Sequence, residues 1–213
     1  MDLIDLFLHL DKHLLELIEY CGPWTYVVLF LIIFCETGLV VAPFLPGDSL
    51  LFVSGTFAAK GVLSIEWLCA VFVVAAVAGD AANYTIGSTI GQKLINKKSR
   101  FVKPQYIERT QRFYQRYGGK TIVLARFVPL VRTFAPFLAG VGKMSYPRFA
   151  RYNVLGALLW VGIAALGGYW FGNLPIVRDN FSLVIILIVV VSVIPAGVEF
   201  IRHRMSHPQR EKR

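Results

Sequence analysis

Residues 2–20 alternate at helical spacing. Leu3, Leu6, Leu10, Leu14 and Leu17 fall on one face, and Asp2, Asp5, His9, Lys12, Glu16 and Glu19 on the other. That pattern predicts an amphipathic helix lying in a membrane interface, closed by Gly22-Pro23. From Trp24 the chain turns apolar in three pieces: 24–35 up to Glu36, 37–47 up to Asp48, and 49–59 up to Lys60. A membrane span needs about 20 residues, and pieces of roughly 10–14 read as re-entrant segments. Pro43, Pro46 and Gly47 break the helix where the chain would turn back, so 24–60 is predicted to be a helical hairpin dipping into the bilayer. Residues 62–92 are long enough to cross, with Asp80 and Asn83 inside. The run Gly87-Ser88-Thr89-Ile90-Gly91 suits close packing within the monomer better than dimerisation, although a homo-oligomer stays open.

The second half follows the same plan. A basic segment, 93–120, is predicted to carry an interfacial helix from Pro104 to Gly118-Gly119. A second hairpin, 121–142, is interrupted by Arg126 and Arg132, with breaks at Pro129, Pro136 and Gly140. Spans at 152–172 and 181–201 precede a basic tail, 206–213. Ala42-Pro43-Phe44-Leu45-Pro46-Gly47 in the first hairpin reads almost letter for letter as Ala135-Pro136-Phe137-Leu138-Ala139-Gly140 in the second. The expected fold is an all-α membrane protein with two opposed re-entrant helical hairpins forming an inverted repeat. About three transmembrane helices and the interfacial helices complete a single membrane domain, 23–205, after the helix of residues 1–22.

Composition agrees: 56% of the 213 residues are hydrophobic, 16% are charged, and the mean hydropathy is +0.59. The net charge of +9 comes from two segments beside apolar spans. Residues 93–120 hold nine Lys/Arg against Glu108, and 202–213 hold five against Glu211. This marks a cytoplasmic face, C-terminus included, and argues against nucleic acid. The first hairpin and the acidic N-terminus then fall outside. Cys21, Cys35 and Cys69 are isolated and lack metal-ligand spacing, so no metal or other cofactor is expected. Asp2 and Asp5 stand where a signal peptide would be basic.

The candidate chemistry lies in four charges within apolar stretches: Glu36, Asp48, Arg126 and Arg132. Each costs roughly 2.5–3.5 kcal/mol at bilayer depth on insertion scales. The opposed hairpins would bring them together at the midplane. As a purely structural ion network they would stabilise little, because desolvation offsets most of the attraction. Arginine binds phosphate oxygens through two parallel N–H bonds, so Arg126 and Arg132 suit a phosphate headgroup. Glu36 and Asp48 suit proton coupling, and Asp80 and Asn83 are secondary pathway candidates. Asp80 serves equally well as a packing residue. His9, His13, His203 and His207 all lie in terminal segments, and no Walker-type loop appears, so neither an enzyme nor direct ATP drive is expected.

Three stretches carry a family likeness: Phe34-Cys35-Glu36-Thr37-Gly38, Phe44-Leu45-Pro46-Gly47-Asp48-Ser49-Leu50-Leu51, and Ala125-Arg126-Phe127-Val128-Pro129-Leu130-Val131-Arg132-Thr133. They resemble the bacterial DedA family, whose core is also called the SNARE-associated or VTT domain. The resemblance extends over about residues 3–205 and includes Gly79–Gly87 and Gly156–Trp160. It implies a multi-pass bacterial inner-membrane protein that carries an anionic lipid phosphate, chiefly undecaprenyl phosphate, to the cytoplasmic leaflet. It also implies links to the proton motive force, envelope integrity, cell division and resistance to cationic antimicrobial peptides. The family's essential acids map onto Glu36 and Asp48, and its essential arginines onto Arg126 and Arg132. The alternatives are a proton- or cation-coupled transporter of a small solute, or a non-transporting scaffold for envelope assembly.

Overall fold

The computed structural model describes Leu14, Glu16, Ile18 and residues 20–38, 47–96 and 117–174. Pro43 and Pro46, most of the basic segment, the predicted span 181–201 and the tail lie outside the described residues. Within them the chain is all-helical. A 3₁₀ turn, Gly22–Trp24, leads into α1 (Thr25–Gly38). Then come α2 (Gly47–Ala59), α3 (Ile65–Asn96), α4 (Lys120–Ala125), α5 (Pro129–Val141) and α6 (Tyr146–Val161). A π-helical turn, Gly162–Leu166, joins α6 to α7 (Gly167–Gly172) without interruption. Among the described residues, two helical stretches are long and apolar enough to cross a membrane, Ile65–Thr89 and Tyr146–Gly172. The second begins before the predicted 152, because Ser145 and Pro147 form its N-terminus. Helices α1, α2 and α5 have 14, 13 and 13 residues, about 20 Å each, well short of a bilayer's roughly 30 Å core.

Local chemistry sets the turns. Helix α2 ends in a Schellman motif: the Val62 N–H reaches the Phe57 carbonyl (3.2 Å), and that of Gly61 reaches Ala58 (3.0 Å), with Gly61 at φ +77°. Helix α5 ends the same way, Met144 to Ala139 (3.0 Å) and Lys143 to Gly140 (3.1 Å), but there Lys143 takes the positive φ, 55°.

The long helices α3 and α6 are antiparallel. Tyr84 stacks on Phe149, and Asn153 reaches the Val77 carbonyl. Helix α1 runs beside α3 from Tyr26, whose hydroxyl accepts the Ser64 N–H (2.8 Å), to Gly38, whose backbone touches Gly79. Helix α4 runs beside α6 in the same manner, with Gly119 at Tyr152 and Val123 at Gly156. The second arms cross over. Helix α2 packs on the π turn and α7, and α5 packs on α3. Each half's second arm therefore covers the long helix of the other half. The two helix pairs enter from opposite ends, and their inner ends meet near the middle of α3 and α6.

Glycine makes these crossings close. The Phe137 carbonyl abuts Gly87, and the Tyr84 carbonyl abuts Gly140; the Phe52 carbonyl abuts Gly168, and the Ala165 carbonyl abuts Gly55. A Cβ at any of the four glycines would overlap a carbonyl oxygen. Gly87 is thus used inside the monomer.

The proline–glycine likeness does not correspond to this symmetry. Gly47 starts α2, but Pro136 and Gly140 lie within α5 and break nothing. The second half's interruption is at Arg126–Val128, closed by Pro129 at the start of α5. One apolar cluster gathers Leu14, Leu29, Leu51, Leu68, Phe72 and Ala165, and a second gathers Ile122, Ala139, Met144 and Phe149. Leu14 is buried and Glu16 exposed; residues 1–13 of the predicted N-terminal helix lie outside the described residues.

Candidate functional site

The charged side chains converge where the inner helix ends meet, and they form two linked groups. Glu36, at the last turn of α1, is fully buried, and its Oε1 accepts from Arg132 Nη2. Arg132 Nη1 donates to Asp48 Oδ1 at 2.8 Å. Asp48 lies in the first turn of α2 with its side chain 41% exposed, the open edge of this group. Gly47 precedes it and presses on the Glu36 carboxylate so closely that a Cβ would overlap it. Any other residue there would expel the acid. Arg132, on the first turns of α5, thus bridges the two acids of the opposite helix pair.

Arg126 does not join them. It sits at the tip after α4, 4% exposed, and donates to Asp80 of α3 and to Asn153 Oδ1 of α6 at 2.6 Å. Asp80, a secondary candidate in the sequence, is therefore the counter-ion of Arg126. Asn83, the other, donates to the carbonyls of Thr37 and Thr133 and is completely buried. Buried atoms without a hydrogen-bond partner among the described residues include Glu36 Oε2, Asn83 Oδ1 and Arg126 Nε.

Trp160 joins the two groups. Its Nε1–H donates to Asp48 Oδ1 at 2.7 Å, and the guanidinium carbons of Arg132 and Arg126 lie 5.2 and 5.8 Å from its ring centroid. Cation–π attraction compensates each arginine in a setting with little water. Between the groups is a cavity of about 10 Å³, lined by Thr37, Asp80, Arg126, Arg132, Thr133 and Trp160 among others. That is room for roughly one water.

Sequence reasoning missed Trp160 and Asn153. The signal was present: tryptophan in a span normally marks its ends, whereas Trp160 falls mid-helix. Asn153 is a lone amide on an otherwise apolar face. Both are buried where an unpartnered polar group would be costly, so each needed a partner.

Residues 45–170 match the VTT domain family. Protein DedA of Escherichia coli K12 is 54% identical over 207 residues, covering 96% of this chain and 94% of that protein. The chain belongs to the DedA family of membrane proteins. An uncharacterized membrane protein of Mycobacterium leprae is 45% identical over 166 residues (78% of this chain, 74% of that protein). Inner membrane protein YqjA of Escherichia coli K12 is 34% identical over 152 residues (71% and 69%). No solved structure matches the chain. For a DedA-family chain, the VTT match takes in Asp48, Asp80, Asn83, Arg126, Arg132, Asn153 and Trp160, leaving Glu36 just before it.

Proposed function

We propose that this DedA-family protein moves an anionic lipid phosphate, undecaprenyl phosphate foremost, across the bacterial inner membrane, with proton coupling. The two helix pairs are read as re-entrant hairpins in a multi-pass protein with a cytoplasmic C-terminus. One observation carries the reading: Arg132, from one pair, is held by Glu36 and Asp48 of the opposite pair. A phosphate is the natural competitor for such a guanidinium, because it offers the same paired oxygens as a carboxylate. Once it takes Arg132, the displaced acids face each other without a cation. A proton on one of them relieves that repulsion, which links uptake of the anion to uptake of a proton. Counting all five groups, three carboxylates oppose two guanidiniums, so one proton balances the centre.

The size of the cavity supports a second reading. Space for one water suits a small ion or solute transporter using the same charges, and a lipid headgroup needs the hairpins to part. The test is purified protein in liposomes, assayed in parallel for leaflet exchange of labelled lipid phosphate and for small-solute uptake. Arg132→Lys keeps the charge but loses the bidentate fork, so lipid exchange should fall by at least about tenfold at normal protein levels. Wild-type exchange by that variant, or solute uptake without lipid exchange, removes the flippase reading.

A further inference from the structure

Asn83 lies one turn beyond Asp80 on α3, and its side-chain amide donates twice: to the Thr133 carbonyl at 2.8 Å and to the Thr37 carbonyl at 3.2 Å. Thr37 directly follows Glu36, and Thr133 directly follows Arg132. One amide therefore grips the backbone next to both ends of the Glu36–Arg132 pair, and those ends belong to helices entering from opposite sides. The two N–H donors of the amide are both used. On α1 the grip falls where the helix has backbone to spare, and on α5 it falls one residue past a carbonyl that lacks its helical donor. The Thr37 carbonyl is among the last four of α1, which lack an intrahelical donor. On α5, Pro136 lacks the N–H that would have reached the carbonyl of Arg132, the residue before Thr133.

The ion pairs around Asn83 can be exchanged by an incoming anion or a proton. The bonds of Asn83 differ in kind: the amide is neutral and does not titrate, and its two donors are fully buried and both engaged by backbone carbonyls. We infer that Asn83 is a positioning residue, a neutral clasp that holds the two hairpin tips in register and sets how often they part, without touching the transported group. The inference goes beyond the transport reading: any cargo that enters between the tips meets the same clasp.

The experiment is hydrogen–deuterium exchange on the purified full-length protein in lipid nanodiscs, comparing wild type, Asn83→Asp, Asn83→Ala and a control, Thr85→Ala, on the exposed side of the same helix. Asn83→Asp keeps the size but turns both donors into acceptors facing carbonyls; Asn83→Ala serves where that repulsion prevents folding. The expected result is exchange about tenfold faster at the amides of 34–38 and 130–135 together. Residues 25–30 and 146–150, at the outer ends, stay as in wild type, and so does the control throughout. Unchanged tips, a change at one tip only, or an even rise along the whole chain each overturns the clasp. No lipid cargo is used, so the outcome is independent of the flippase reading.

Discussion

Trp160 and Arg132 share one oxygen: Asp48 Oδ1 accepts the indole N–H at 2.7 Å and the guanidinium at 2.8 Å. A neutral donor and a cation, both from the second half of the chain, hold a single carboxylate from the first. On the transport reading proposed above, Asp48 would keep one donor and stay in place when Arg132 turned to another anion. Trp160→Phe retains the ring face and loses that donor. It should fold with a loss of about 1–2 kcal/mol and exchange lipid more slowly. Trp160→Leu also loses both cation–π contacts, roughly 0.5–2 kcal/mol each, and should be clearly less stable. Thermal unfolding and leaflet exchange measure the two effects; a Phe variant as active as wild type shows the N–H to be dispensable.

Asp80→Asn leaves Arg126 buried beside two amides and no carboxylate. Removing one partner of a buried pair costs about 3–5 kcal/mol, so this variant should unfold at markedly lower temperature. Replacing both, Asp80→Leu with Arg126→Leu, should regain most of the stability while transport stays lost. Transport regained along with stability in the double variant would make Arg126 a purely structural cation.

The two glycine crossings predict matched behaviour. Gly87→Ala and Gly168→Ala each drive a methyl into a facing phenylalanine's carbonyl and should cost about 1–3 kcal/mol. Gly162→Ala meets nothing within 4 Å and should be neutral, or stabilise by up to about 1 kcal/mol through helix propensity. Unfolding midpoints of the three variants decide; a large loss at Gly162 alone would contradict the packing.

Lys143 holds the left-handed position that Gly61 holds at the end of α2. An L side chain there costs roughly 1–2 kcal/mol, so Lys143→Gly should stabilise and Gly61→Ala should destabilise by similar amounts. Chemical denaturation midpoints shifting the same way in both variants would refute the equivalence of the two turns.

What the sequence made legible was what is costly in a membrane. Glu36, Asp48, Arg126 and Arg132 stood out because each charge needs compensation, and all four do converge. Their pairing was not legible. Arg126 reaches Asp80 rather than Glu36 or Asp48, because α4 lies along α6 and delivers its tip to the middle of α3. No spacing along the chain encodes that. The internal repeat was read in the wrong register. Ala42–Gly47 and Ala135–Gly140 lie 93 residues apart, whereas the equivalent crossings Phe52/Gly55 and Phe137/Gly140 lie 85 apart. The real pattern is a phenylalanine and a glycine three residues later, too sparse to notice until the facing helix is known. The shortness of α1, α2 and α5 was readable from the short apolar runs. The stop at Lys143 was not, since lysine gives no sign of a positive φ.

The crossed arms also bear on how the protein is made. Helix α2 is synthesised before the π turn and α7 that it covers, and α3 must wait for α5 to seal its glycine face. Neither half covers its own long helix with its second arm, so the two crossings, α2 on the π turn and α7 and α5 on α3, join segments distant in the chain. Such topologies fold slowly and spend longer with apolar seams uncovered. A chain cut between residues 97 and 116 would yield two fragments that are each incomplete, and they would become whole only by exchanging arms.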